Sequence, residues 1–196
     1  MDGHLIGVRP HRFTVDDYYR IVEAGRLPEG SRVELIRGQI VDMHAIGSPH
    51  MGMVIRLNRL MVPALAGLGL VSVQNSVRLD MESEPRPDVV VLAPRDDDYD
   101  QPPHPGPSDV LLLIEVADSS LEYDRTPKAE LYAESGIGEY WIVNLTERVV
   151  EVLSRPVGGL YQDRRRVAAG QTLDIVALPG VSFMVSVLFP RQRDVS

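Results

Sequence analysis

The stretch Val110-Leu111-Leu112-Leu113-Ile114-Glu115-Val116 decides how this chain folds. Seven residues run without a turn former and six of them are apolar, the composition of a strand buried on both faces of a sheet. Glu115 is the exception. A lone carboxylate in such a strand loses its hydration, so it must be paired, protonated or bound to a metal. A second run, Asp88-Val89-Val90-Val91-Leu92, follows Pro87 directly and opens on an acid. Two core strands with one acid each point to a site.

Working outward, Thr126-Pro127-Lys128 reads as an N-cap and first-turn proline starting a helix that runs to Gly136. Strands are expected at 139–144 and 149–153, and further sheet from Tyr161 to Phe189 with turns at Gly158-Gly159 and Pro179-Gly180. The strand-helix-strand passage from Val110 to Asn144 implies a mixed α/β sheet. On the N-terminal side, Val71, Val73, Val77 and Leu79 alternate with polar residues, the period of a half-buried strand. From His50 to Ala66, apolar residues at 54, 57, 61, 64, 65 and 68 follow the helical repeat, with Pro63 shortening or kinking it. Arg37-Gly38 signals a hairpin that carries Glu34 on its first strand. Thr14 and Asp17 form a capping box for a short helix that Gly25 ends. The Asp- and Pro-rich segment from Pro94 to Asp109 is expected as a surface excursion beside the site.

At 196 residues, with 44% apolar and 24% charged residues, the chain is expected to form a single domain over 1–196. No apolar run is long enough to span a bilayer, so no membrane partner is expected. The N-terminal stretch lacks the pattern of a signal peptide, which together with the lack of cysteine suggests the cytoplasm. The absence of cysteine also excludes thiol nucleophiles and thiolate metal sites. A net charge of -8 argues against a generally basic nucleic-acid-binding surface, so such a partner needs a local positive patch or a bridging cation.

Standard motifs are lacking: there is no phosphate loop, nucleophile elbow or His-Glu-x-x-His. Asp96, Asp98 and Asp100 imitate the start of a calcium loop, but Gln101 and Pro107 stand where Gly and Glu are required. What remains is Asp88, Glu115, Lys128 and Glu34. Asp88 and Glu115 can share one hard divalent cation, Mg2+ or Mn2+, with the backbone carbonyl of Val116 as a third ligand. Lys128 can orient a water and stabilise charge on a phosphate. The plainer alternative makes Asp88 a turn residue and Glu115 the buried partner of Lys128 or an arginine. Taken together, the arrangement favours the site. The histidines at 4, 11, 44, 50 and 104 are scattered. His50 either faces the cleft or caps its helix, while Tyr132 is read as core, with positioning of the lysine as its alternative.

Several segments carry a resemblance: Glu34-Leu35-Ile36-x-Gly38-x-Ile40-Val41-x-Met43, His50, Arg86-Pro87-Asp88-Val89-Val90-Val91, Ile114-Glu115-Val116, Asp124-x-x-x-Lys128-x-x-x-Tyr132-Ala133 and Gly136-Ile137-x-Glu139-Tyr140-Trp141-Ile142-Val143. In this order and spacing the chain resembles the bacterial restriction-endonuclease-like proteins of the PD-(D/E)xK nuclease superfamily, from about residue 13 to 189. The resemblance implies a mixed central sheet flanked by helices, with extra β-hairpins. It also implies Asp88 and Glu115 as metal ligands and Glu34 as a further acid near the metal. Ala117 stands where the superfamily usually has lysine, and in this family that lysine has moved to the following helix, as Lys128. Arg37 departs from the family's usual Asp, and Leu121 stands near a usual Ser/Thr-rich turn.

The expected function is therefore that of a divalent-metal-dependent phosphodiesterase, a DNA endonuclease acting by in-line hydrolysis, with His50 and Tyr132 as accessory candidates. A homodimer would suit a nuclease that cuts both strands. The rival is a nucleic-acid-binding or assembly protein that keeps the fold without useful cleavage; the -8 charge favours it slightly, and retention of all the site residues disfavours it.

Overall fold

A computed structural model describes residues 10–28, 30–43 and 46–189. His4, His44 and most of the N-terminal stretch considered above lie outside them. The chain order is α1 (Val15–Glu23), β1 (Val33–Ile36), β2 (Gln39–Asp42), α2 (Ser48–Ala64), β3 (Leu70–Val73), β4 (Val89–Leu92) and β5 (Val110–Ala117). A helical segment follows, made of α3 (Leu121–Tyr123), a π-helical turn (Asp124–Lys128) and α4 (Ala129–Glu134). Then come β6 (Glu139–Asn144), β7 (Val149–Val157), β8 (Leu160–Val167), β9 (Thr172–Asp174), β10 (Ser182–Met184) and α5 (Val185–Leu188).

Six strands form the central sheet in the order β3-β4-β5-β6-β7-β8. Only β5 and β6 run parallel, with Glu115 opposite Ile142; the other neighbours are antiparallel. The direction of the strands explains how distant acids meet. Because β4 runs against β5, the start of β4 lies at the same sheet edge as the end of β5, pairing Val89 with Ile114. That edge also receives the helical crossover leading to β6.

Alternate residues of the core strands face opposite layers. Val89, Val91, Leu112, Ile114 and Val116 pack on one side against Met53, Leu57, Met61 and Leu65 of the α2 segment, and against the β9–β10 and α5 region. Val90, Leu92, Leu113 and Ala117 pack on the other side against Ala129, Leu131, Tyr132 and Ala133. Burial on both faces is why β4 and β5 are uninterrupted apolar runs. Glu115 belongs to the second face, toward the helix that carries Lys128.

The β1–β2 hairpin forms as the Arg37-Gly38 turn implies, and it is joined to the connection between β3 and β4 by a bridge between Leu35 and Glu84. Gly38 has φ +74, and a Cβ there would lie 2.5 Å from the Arg12 Cβ. Only glycine satisfies both the turn and the close approach. The Thr14–Asp17 capping box is present at α1. With β9–β10, two small hairpins flank the main sheet.

Four expectations need correction. The alternating stretch 71–79 is not one strand: β3 ends at Val73, Gln74 takes φ 54, and the chain then folds back with Val77 N–H on Pro85 O. Val77 and Leu79 are still buried, so the alternation marks burial without marking a straight strand. The second helix starts at Ser48 rather than His50, and Ala64 and Leu68 are exposed. The third helix begins at Leu121, not at Thr126, and Pro127 sits inside its π-helical turn. A proline has no N–H to give an i−4 carbonyl, and a widened turn accommodates that loss. Finally, the 94–109 segment joins the end of β4 to the start of β5, at the sheet edge opposite Asp88 and Glu115. It is a surface excursion, but not beside the site.

Candidate functional site

Asp88 arrives one residue before β4 and Glu115 two residues before the end of β5. Although 27 positions apart, they interlock: Asp88 N–H donates to Glu115 Oε2 at 3.3 Å, and Val116 N–H donates to Asp88 Oδ2 at 2.9 Å. The crossover helix supplies Lys128, whose Nζ donates to Glu115 Oε1 at 2.8 Å and lies 3.3 Å from Glu34 Oε1. Glu34 comes from β1, and its Oε2 accepts from Arg86 N–H at 3.0 Å. The fold thus brings together all four acid and lysine candidates.

The accessory candidates also take definite places. His50 stands inside α2, whose N-cap is Gly47, so it does not cap the helix. Its Nε2 lies 2.9 Å from Asp88 Oδ2, while its Nδ1 is buried without a partner among the described residues. Tyr132 is fully buried in the core and also donates to Glu115 Oε1 at 2.8 Å. It positions the acid directly, not the lysine. Val116 contributes its N–H to Asp88, and its side chain is core.

Other members, Gln74 and Asp124, were given no site role from the sequence. Gln74 Nε2 donates to Asp88 Oδ1 at 3.2 Å; reading 71–79 as a strand gave it only a solvent-facing place. Asp124 is buried, accepts from Ser120 Oγ at 2.6 Å, and lines the same cavity of about 60 Å3 as Asp88, Glu115 and Lys128. Its spacing four residues before Lys128, part of the motif quoted above, puts both on one helix face. Asp42 and Asp118 also line this cavity.

Glu115 and Lys128 are both shifted upward, and Asp88 downward. Burial pushes the Glu115 carboxyl up to about 8 against the pull of the Lys128 ammonium, and Asp88, Asp124 and Glu34 add to the rise. For Lys128, burial favours losing the proton, but Glu115, Glu34 and Asp124 outweigh it and raise the ammonium above its ordinary range. Asp88 differs. Burial works to raise it, yet the hydrogen bonds from His50, Val116 and Gln74 hold it below its usual value. A cavity that tightens its hold on the protons of both an acid and an amine is short of positive charge.

The donors are carboxylate oxygens, which suit a hard divalent cation. Among the described residues, no three His, Asp or Glu side chains converge tightly enough to hold an ion as they stand. Their oxygens are turned onto Lys128, Tyr132, His50, Gln74 and backbone N–H groups. Two acids and a main-chain carbonyl are a smaller set than that, and the donor chemistry fits.

The mixed sheet, its helical layers and this edge cluster define an α/β protein of the restriction-endonuclease-like class. A family model described as "Uma2: Putative restriction endonuclease" matches residues 15–187, and the chain belongs to that family. Among solved structures, it is similar to a crystal structure titled as a "putative nuclease belonging to DUF820" from Anabaena variabilis ATCC 29413. The TM-score is 0.69 at 15% sequence identity, covering 90% of this chain and 97% of the other. Comparison with curated proteins returns no match. Among the described residues, no helix is long and apolar enough to cross a membrane.

Proposed function

We propose that this protein is a divalent-metal-dependent phosphodiesterase, a DNA endonuclease in which Asp88 and Glu115 hold Mg2+ or Mn2+. The observation that carries the reading is the interlock of these two acids at one sheet edge, with Lys128 spanning Glu115 and Glu34. The Val116 carbonyl is the third oxygen donor, and Glu34 is the further acid near the cation. When bound, such a cation acts as a Lewis acid toward the phosphate and activates water for attack.

The chain's own groups do the rest. His50 and Gln74 fix the Asp88 carboxylate, and Tyr132 fixes that of Glu115. Lys128 is held protonated, so it serves as a fixed positive charge toward phosphate oxygens and not as the base. Hydrolysis adds water across one P–O ester bond: the water oxygen bonds to phosphorus, and the ester oxygen leaves with a proton.

The test is cleavage of supercoiled plasmid and single-stranded DNA in Mg2+, Mn2+ or EDTA, by wild type, Asp88→Asn and Glu115→Gln. Metal-dependent cleavage that falls about 100-fold or more in either variant is expected. Cleavage that persists in EDTA or in both variants would overturn the assignment. Binding of DNA without any cleavage would favour the non-catalytic reading.

A further inference from the structure

A second cleft, of about 760 Å3, is far roomier than the cavity at Asp88 and shares none of its lining. It runs along β3 and the 94–109 segment and is walled by Ser72, Asn75, Ser76, Arg86, Tyr99 and His104. Its size falls in the range of about 300–1,000 Å3 typical of small-molecule sites.

Two features tie this cleft to the site. Arg86 touches both: its N–H holds Glu34, while its guanidinium lines the cleft and donates to Gln74 O at 3.3 Å. Among the described residues, that guanidinium has no carboxylate within ion-pairing distance, although Asp98 also lines the cleft and is exposed. Gln74 in turn donates to Asp88. The backbone is unusual at the same place: Gln74, Asp98 and Tyr99 have φ 54, 48 and 60. Left-handed conformations are rare for such residues and collect at ligand clamps.

We propose that this cleft binds a nucleotide segment of the substrate strand that flanks the cut, with Arg86 taking a phosphate; this rests on the nuclease reading above. A planar guanidinium matches phosphate oxygens in pairs. The Tyr99 ring, one face of which carries the Arg95 guanidinium, and the His104 ring, held by Tyr19 and Glu84, line the cleft as surfaces for a base, and Ser72, Asn75 and Ser76 offer neutral hydrogen bonds. In a chain of charge -8, an arginine without an acid partner next to Asp88 is where a polyanion gains most.

The experiment is fluorescence anisotropy of a short end-labelled single-stranded oligodeoxynucleotide in EDTA, over a series of salt concentrations. It compares wild type, Arg86→Met, the cleft-filling Ser72→Trp, and Arg59→Met as a control on the exposed side of α2. Arg86→Met and Ser72→Trp are expected to weaken binding about tenfold, with Arg59→Met near wild type. Arg86→Met is also expected to reduce the slope of log K against log salt by about 0.7, the signature of one lost phosphate contact. The circular dichroism spectrum and the denaturant midpoint of each variant should stay near the wild-type values, which a misfolded variant would not show. Wild-type oligonucleotide affinity in both cleft variants would overturn the proposal, as would no binding by wild type. Cleft-dependent binding by a protein that never cleaves would sustain this proposal while contradicting the catalytic reading.

Discussion

Lys128 Nζ lies 2.8 Å from Glu115 Oε1, and the two side chains are only 7% and 6% exposed. The same ammonium reaches Glu34, so one positive charge serves two buried carboxylates from different sheets. Removing one partner of a buried pair leaves the other uncompensated, at a cost of about 3–5 kcal/mol. Lys128→Met is therefore expected to lose that much stability in EDTA above pH 8, where Glu115 is ionised, measured by denaturant unfolding. Mn2+ should restore much of the loss, because a bound cation supplies the missing charge. A variant as stable as wild type in EDTA would show that Lys128 is not what neutralises Glu115.

Glu115 gives the metal-free protein a pH dependence whose sign is fixed by its raised carboxyl, near 8 against an ordinary 4.5. The folded state holds this proton more tightly than the unfolded state does. The group's contribution is therefore full below 4.5 and lost as pH rises through 8. Wild type should lose several kcal/mol relative to Glu115→Gln across that window. Parallel unfolding curves for the two proteins, at a constant separation throughout, would refute a raised carboxyl.

Tyr132→Phe separates the ring from the hydroxyl. The ring stays packed against Tyr140 at a centroid distance of 5.0 Å, while the hydrogen bond to Glu115 is lost. Above pH 8, where Glu115 is ionised, a hydrogen bond to a charged group contributes about 1.5–3 kcal/mol, and that is the expected fall in unfolding free energy. No change would mean that the hydroxyl is not what orients Glu115.

Much of this was legible in the sequence, for identifiable reasons. The strands at Val89 and Val110 are continuous apolar runs because both faces are buried, and a lone acid in each is conspicuous against that background. The turn at Arg37-Gly38 put Glu34 on a hairpin strand, and the family resemblance made it a site acid. What escaped was set by tertiary geometry. Pro127 has the local signature of a helix start, and only the π-helical turn shows that the helix tolerates it inside. Gln74 looked solvent-facing because a positive φ at a non-glycine residue leaves no mark in the hydropathy pattern. The position of the 94–109 segment depends on whether β4 and β5 run parallel, and apolar runs do not encode direction.

That last point makes the segment's role testable. Deleting residues 96–100 alters a connection at the opposite sheet edge, so Mn2+ affinity by calorimetry should match wild type. The same deletion removes Tyr99 from the second cleft and should weaken oligonucleotide binding. Loss of metal binding in a folded deletion protein would place metal ligands in the segment after all.

The central claim is that Asp88 and Glu115 share one divalent cation, and an anomalous difference map from crystals grown with Mn2+ tests it most directly. The account predicts one strong peak within about 2.0–2.3 Å of a carboxylate oxygen from each residue, absent in crystals of Asp88→Asn. A peak bound elsewhere, with the Glu115–Lys128 pair still closed and Asp88 bonded only to His50, Gln74 and Val116, would contradict it.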